Sequence, residues 1–429
     1  MWTALSFGTF ADNTLRQALL IGIPAGIIQI PFLSNADNAV PIIGLFLPIA
    51  IMVFSSISGQ FADKFETSMM FRRTKFIELL LMVVAAVAFA SGIGWLAVVM
   101  LFAMGAQSAF FSPVRIGAMP KYLQTNELVR GNGLCNAGLY TFILLGTMTG
   151  SALILQENGG LMTGGALIAA SLIGWSAALR APFAEANEPK IRLDFNWFAQ
   201  TRVLFNFVLS SRGVAPPLLG IGVFYYLSTF VIVAIPFYGR DALHATPIVW
   251  AALNGLFAIG AGLGAIAAAA LPKGQASLGV SALTIACAGI VSFLVYFITP
   301  VAAGDGASPI GISAFFSGAS GISLSLVLVL TSAFAGMYLA PLQAAMQRRA
   351  PKPVRARIMA ASAFANAAFA IPGSLSVFAI TAAGLDPRLV FIAVGGAMLI
   401  IAGIMYYRKT TLAEGLYDEM LEGSQTPTS

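Results

Sequence analysis

Long apolar runs alternate with short polar intervals along the whole chain. A helix needs about 20 mostly apolar residues to cross a bilayer. Twelve stretches meet that requirement: 5–31, 40–62, 74–93, 95–118, 129–155, 161–183, 213–237, 247–271, 276–299, 319–345, 355–382 and 387–407. They lack the period-two alternation of membrane β-strands. The pattern therefore predicts an all-α membrane protein with 12 transmembrane helices. Glycine and alanine are frequent in the runs, which suits close helix packing in lipid. One run is anomalous: in FGTFADNTLRQALLIGIP, residues 7–24, Asp12 and Arg16 interrupt an otherwise apolar helix.

Composition agrees with the pattern. Hydrophobic residues make up 58% of the 429 positions and charged residues 9%, against about 25% charged in a soluble domain. A net charge of +6 would suit nucleic acid, but its placement argues otherwise. With the N-terminus inside, every basic residue except Arg16, Arg240 and Arg388 falls on the cytoplasmic side, as the positive-inside rule requires. Lys64, Arg72, Arg73 and Lys75 follow span two; Arg115, Lys121 and Arg130 follow span four; further clusters follow spans six, ten and twelve. Both termini are therefore expected inside. No basic segment and small-residue cleavage site mark a signal peptide. Cys135 and Cys287 lie in apolar runs and read as small core residues. The single histidine, His244, cannot build a metal cluster, and no cofactor or metal is expected.

The longest polar interval, EANEPKIRLDFNWFAQTRVLFNFVLSSRG, divides the chain into two halves. The predicted organisation is a six-helix bundle over 1–184, a cytoplasmic linker over 185–212, a second six-helix bundle over 213–408 and a cytoplasmic tail over 409–429. The halves echo each other. SPVRIGAMPKYLQTNELVRGN and APLQAAMQRRAPKPVRARI each have proline late in an apolar run, then basic residues and a Val-Arg pair. Pro113 and Pro341 are 228 residues apart, about half the chain. Such an echo is expected of a transporter built from two parallel repeats.

GQFADKFETSMMFRRTK, 59–75, carries Gly-x-x-x-Asp-basic at Gly59, Asp63 and Lys64, with Arg72 and Arg73 following. Glycine permits close approach of a neighbouring helix. An aspartate can accept from helix N-terminal amides, and the arginines can hold a carboxylate or a phosphate. The segment is read as a conformational latch, with an ordinary basic loop as the alternative. The equivalent loop of the second half, GAIAAAALPKG, has no acid, so a symmetric pair of latches is not expected.

That loop resembles the signature loop of the major facilitator superfamily. With FADNTLRQALL, AFFSPVRIGAMPKYL, LVRGNGLCNAGLYTFILLGTMTG and MYLAPLQAAMQRRAPKPVRARI, it resembles the bacterial lysophospholipid transporter branch, from residue 7 to about 370. The resemblance implies inward movement of lysophospholipids, chiefly lysophosphatidylethanolamine, across the inner membrane for re-acylation. It implies a monomer embedded among membrane lipids, served by an acyltransferase. Some relatives carry that enzyme fused; this chain runs only 22 residues past its last span, so a separate acyltransferase is expected. Asn136 stands where relatives often carry an acid.

Asp12 and Arg16 are four residues apart and share a helix face. Each would cost about 2.5–3.5 kcal/mol at mid-membrane on insertion scales. They are expected either to pair privately, fixing the first span, or to line a site where the acid meets an ammonium and the guanidinium a phosphate. Asn13, Asn132, Asn136, Tyr140 and Asn366 either join helices by hydrogen bonds or line the same cavity. Tyr225 and Tyr226 flank the substrate or pack. Arg240 makes an outer phosphate contact or a solvated pair with Asp241. Glu78 is expected to pair with Lys75 at the inner boundary.

Two transport functions remain on these residues: a lysophospholipid flippase working by alternating access, with lateral entry of the lipid, or a proton-coupled exporter of amphipathic drugs. The catalytic patterns of a membrane enzyme are not found.

Overall fold

The computed structural model describes residues 1–31, 36–122, 128–186, 188–196, 199, 202, 206, 215–269, 278–299, 309–349 and 355–407. The chain is built from helices: α1 (Trp2–Gly22), α2 (Ala36–Lys64), α3 (Thr67–Ala90), α4 (Gly94–Tyr122), α5 (Leu128–Ile154), α6 (Gly159–Leu179), α7 (Ala215–Phe237), α8 (Pro247–Ala269), α9 (Leu278–Ile298), a short α10 (Ile312–Ser317), α11 (Ala319–Arg349), α12 (Arg355–Ala382) and α13 (Leu389–Tyr407). A π-helical turn, Tyr238–Ala242, extends α7. No strand occurs among the described residues; a single bridge joins Ala245 to Ile310.

Among the described residues, eight helices are long and apolar enough to cross a membrane, or nine if the two segments of α2 form one span. The remaining long helices are α1, α3 and α5. Polar residues set the first two apart: Asp12 and Arg16 in α1, and Arg72, Arg73, Lys75 and Glu78 in α3. The described apolar part of α5, Thr141–Ile154, is shorter. The first apolar run was expected to continue to residue 31, yet α1 ends at Gly22. Pro24 removes a donor, and Gly26 adopts a left-handed φ of 74°, so the chain turns while remaining apolar. Pro113 and Pro341 both lie inside long helices, α4 and α11.

α1 packs along α5 and α6, α2 along α4 and α12, α7 along α12, and α11 along α8 and α9. The α1–α5 contact depends on missing side chains. A Cβ at Gly146 would lie 2.5 Å from the Phe10 carbonyl oxygen, and one at Gly150 would lie 2.3 Å from that of Thr14. The Thr14 hydroxyl donates to the Gly146 carbonyl at 3.2 Å. Small residues spaced four apart thus bring two backbones together without any gain from excluding water.

The bundle has two ends. The terminal face is where α1 begins; the far face is where it ends. At the far face the halves of the chain touch. Gly44 of α2 lies against Val233 of α7 and Ser374 of α12, and Gly255 of α8 lies against Met148 of α5. Burial changes accordingly along α1: Thr9, Phe10, Asp12, Asn13 and Arg16 are half-buried, whereas every residue from Gln17 to Ile23 is buried. α7 repeats this profile, half-buried at 223–226 and buried at 233–238. Along α1 and α7 the burial is thus less complete at the level of Asp12–Arg16 and of 223–226 than toward the far face.

Candidate substrate site

Thr9, Asp12, Asn13 and Arg16 follow the spacing i, i+3, i+4, i+7, which places them on one helix face. All four are half-buried, as are Thr3, Phe7 and Phe10 on the same helix. Their side chains nevertheless diverge. Asn13 turns back on its own helix, its amide donating to the Thr9 carbonyl at 2.8 Å. Asp12 points to α4, where the Ser108 hydroxyl donates to Oδ2 at 3.2 Å. Its Oδ1 is buried and has no partner among the described residues. Arg16 makes no ion pair with Asp12; ion pairs among the described residues include Lys75–Glu78, Arg240–Asp241 and Arg388–Asp386. The private Asp12–Arg16 pair, one of the two arrangements considered from sequence, is therefore not formed in this conformation.

A second guanidinium belongs to the same interior. Arg115 falls inside the span expected over 95–118, although it was grouped with the basic residues of the following loop; it lies within α4 and is half-buried. It is within electrostatic reach of Tyr225 on α7 and Cys135 on α5. Ser108, Ser112 and Arg115 are spaced i, i+4, i+7 on α4, and all three are half-buried. That periodicity was the available signal; counting charges near span edges hid it. Arg16 and Arg115 have no ion-pair partner among the described residues, and a guanidinium offers a phosphate bidentate donors.

Lys75 was also counted as a loop residue, and its pairing with Glu78 was placed at the bundle boundary. Both side chains are instead 2% exposed, with Nζ 2.6 Å from Oε2. The ammonium sits 4.3 Å from the centre of the Phe111 ring. The Gln107 amide donates to Glu78 Oε2 and to the Thr74 carbonyl, both at 3.1 Å. Gly8 makes room for this pair: a Cβ there would meet Lys75 Nζ at 1.9 Å. The sequence did not single out Gln107, Ser108 or Gly8.

The other expected residues divide. Tyr225 is half-buried beside Arg115. Tyr226 shares a hydrogen bond with Ser376 of α12, 3.1 Å between oxygens. Asn366 of α12 has a buried Oδ1 without a partner among the described residues. Arg240 lies in the π-helical turn at the far face, in a bidentate pair with Asp241 at 2.5 and 2.9 Å, with both side chains about one-third exposed. It is not brought to the α1 face. Asn132, Asn136 and Tyr140 are on α5, but their side chains lie outside the described ones, as does the expected tail.

At the terminal face, Gly59, Asp63 and Lys64 occupy the last turns of α2, and Arg72 and Arg73 the first turns of α3. This corner is tied to the segment after α6. The Gln60 amide donates to the Asp194 carbonyl at 3.1 Å and accepts from its backbone N–H at 2.8 Å. The Glu188 N–H donates to the Asp63 carbonyl at 2.8 Å, and Arg72 Nη2 to the Ala181 carbonyl at 2.8 Å. Lys121 donates to Thr67 Oγ1 at 2.8 Å and to the Glu185 carbonyl at 2.6 Å. Burial pulls the Lys121 ammonium below its usual range, and the nearby Asp63 and Glu185 oppose that pull.

No protein-family model matches this chain. It is 24% identical over 273 residues to the lysophospholipid transporter LplT of Photorhabdus laumondii, covering 61% of this chain and 63% of that one. It is 26% identical over 275 residues to the LplT of Pectobacterium carotovorum, covering 62% of each. The aligned stretch spans less than two thirds of either relative. Among solved structures, a POT family transporter in complex with a thioalcohol-conjugated peptide superposes with a TM-score of 0.68 at 14% identity, covering 95% of this chain and 96% of that one. A D-xylose–proton symporter superposes with a TM-score of 0.67 at 11% identity, covering 94% and 96%. At such identities the structures establish the fold and nothing of the substrate. The described residues are helical and share the fold of the POT family transporter and the D-xylose–proton symporter, and the sequence is similar to that of bacterial lysophospholipid transporters.

Proposed function

We propose that this protein is a secondary transporter, a flippase that moves lysophospholipids, chiefly lysophosphatidylethanolamine, from the outer to the inner leaflet of the bacterial inner membrane. The observation that carries this reading is the half-buried face of α1, with Asp12 and Arg16, which has no ion-pair partner among the described residues. A lysophospholipid headgroup carries a phosphate and, in the ethanolamine form, an ammonium. A guanidinium complements the first and a carboxylate the second; Arg115 of α4 is a further half-buried guanidinium nearer the terminal face. The relatives' names support the same substrate class.

In this reading twelve spans form two six-helix halves, 1–184 and 213–408, joined by the linker 185–212, with both termini cytoplasmic. The terminal face is then cytoplasmic, and the seal at Gly44, Ser374, Gly255 and Met148 closes the outer side. The conformation is inward-open. The lipid enters laterally from the outer leaflet when the seal parts. Its tail stays among acyl chains, since transfer to water costs about 0.8 kcal/mol per methylene. Asp63, Lys64, Arg72 and Arg73 act as the latch through the linker contacts. The protein works as a monomer and delivers its cargo to an acyltransferase.

The test is uptake of labelled lysophosphatidylethanolamine into liposomes containing the purified protein. Saturable uptake, lost in Arg16→Gln, supports the reading. Absence of lysolipid movement together with efflux of cationic dyes driven by a proton gradient overturns it in favour of a drug exporter.

A further inference from the structure

α3 and α6 pack side by side, but different residues make the contact at its two ends. Toward the far face glycine lets the helices touch. A Cβ at Gly160 would lie 2.4 Å from the Phe89 carbonyl oxygen, and one at Gly164 would lie 2.9 Å from the Ala86 Cβ. Toward the terminal face the facing residues are large. The Phe76 and Trp175 rings are 5.5 Å apart between centroids, and Phe71 is buried nearer that face. Beside these rings is a cavity of about 480 Å³, within the range of ligand sites, about 300–1,000 Å³.

Ile173, Ser176, Ala177 and Arg180 line the cavity. Their spacing, i, i+3, i+4, i+7, is one face of α6. Thr3 of α1 and Tyr122 at the end of α4 stand opposite. The chemistry is one-sided. Arg180 is exposed and has no ion-pair partner among the described residues. A second guanidinium braces the wall: Arg72 Nη2 donates at 2.8 Å to the carbonyl of Ala181, itself a lining residue. Thr3, Ser176 and Tyr122 add hydroxyls, and no carboxylate lines the cavity among the described residues. Glu66, within electrostatic reach of Tyr122, accepts from the Ser68 hydroxyl.

Ile173 also belongs to the exposed apolar side of this helix pair, with Leu172 on α6 and Phe76, Ile77 and Leu80 on α3. In a membrane such a surface faces acyl chains. Trp175 lies five residues before Arg180, and tryptophan gathers at the membrane–water boundary. The cavity thus has an arginine at headgroup level and greasy helices beneath it.

We propose that this cavity binds the headgroup of an anionic diacyl phospholipid of the surrounding membrane, with the phosphodiester at Arg180 and the acyl chains along α3 and α6. A phosphodiester accepts from guanidinium and hydroxyl groups, and basic pockets between membrane helices hold anionic headgroups. A choline or ethanolamine headgroup would bring a cation to a wall that has a guanidinium and no acid to receive it. The lining residues all lie before residue 185, so rocking of one half of the chain against the other leaves the site intact. The occupant is a resident lipid, and the proposal does not depend on what the protein carries.

The test places the purified protein in phosphatidylcholine vesicles with a trace of phosphatidylglycerol bearing a photoreactive headgroup. Labelled peptides are mapped by mass spectrometry after irradiation. Label is expected to concentrate on residues 173–182. Excess unlabelled phosphatidylglycerol should displace it, and phosphatidylcholine or lysophosphatidylethanolamine should not. Arg180→Gln removes the charge and Ala177→Trp fills the space; each should lower the label about tenfold. Arg388→Gln, which removes an arginine paired with Asp386, should leave it unchanged. Label scattered over the lipid-facing helices overturns the proposal, as does equal displacement by phosphatidylcholine or label that survives both substitutions. Displacement by lysophosphatidylethanolamine as effective as by phosphatidylglycerol assigns the cavity to a transported lipid and also overturns it. Mapping and competition on the unmodified protein decide the matter even if a variant fails to fold.

Discussion

At the scale of single residues, the two interior guanidiniums are functionally separable from the exposed one. A hydrogen bond to a charged group contributes about 1.5–3 kcal/mol, and about 1.4 kcal/mol corresponds to a factor of ten. Arg16→Gln and Arg115→Gln are each expected to lower the specificity constant for lysophospholipid uptake by about 10- to 100-fold. Arg240, paired with Asp241 and one-third exposed, supplies the contrast: Arg240→Gln should leave uptake within about twofold, as exposed pairs contribute little. Initial rates over a substrate series check all three. Equal loss in Arg240→Gln would place the binding groups elsewhere. Sequence pattern marked Asp12, Asn13 and Arg16 because charge in an apolar run is rare enough to be noticed alone. Arg115 and Lys75 escaped because they stand near span edges, where a basic residue is indistinguishable from a loop residue until the helix is seen to continue past it. Gln107 and Ser108 escaped because a neutral polar side chain in a membrane helix has many ordinary partners.

Helices pack here by what glycine leaves out. At Gly8 the built Cβ would lie 1.9 Å from Lys75 Nζ, whereas at Gly165 it would meet nothing within 4 Å. Gly8→Ala must displace the Lys75 ammonium from its place beside Glu78, a shift taken up at the end of a flexible but buried side chain, and is expected to be modestly destabilising. Gly165→Ala removes backbone freedom in an uncrowded helix and should be neutral or gain up to about 1 kcal/mol. Melting temperatures in detergent are expected to fall for Gly8→Ala and hold or rise for Gly165→Ala. At Gly150 the obstacle is backbone, the Thr14 carbonyl oxygen at 2.3 Å, so Gly150→Leu should separate α1 from α5 and prevent recovery of monodisperse protein. Lengths and positions of the helices were largely legible, since 20-residue apolar runs leave few alternatives. The end of α1 was not: the run stays apolar through Ile30, and only the turn at Pro24–Gly26 marks the stop. Which glycines carry the packing is also invisible in one sequence, because Gly150 and Gly165 sit in similar apolar surroundings.

For the whole molecule, the decisive question is whether the far face must open. Gly44 and Ser374 belong to different halves of the chain, and a Cβ at residue 44 would lie 3.7 Å from that of Ser374. Disulfides have Cβ–Cβ separations of about 3.8 Å, so Gly44→Cys with Ser374→Cys should cross-link with little backbone adjustment. Cys135 and Cys287 are free thiols and are first replaced by serine to leave one possible bridge. If the halves rock about a central site, the oxidised protein is held with its far face closed, and lysophospholipid uptake falls to the protein-free background. Reduction restores it, which separates a lock from misfolding. Each single-cysteine variant should transport whether oxidised or reduced. Full uptake by a completely cross-linked preparation would mean that lipid reaches Arg16 without parting α2 from α12. The half-buried face of α1 would then be a permanent groove, and the proposed alternating access would be the wrong description of this protein.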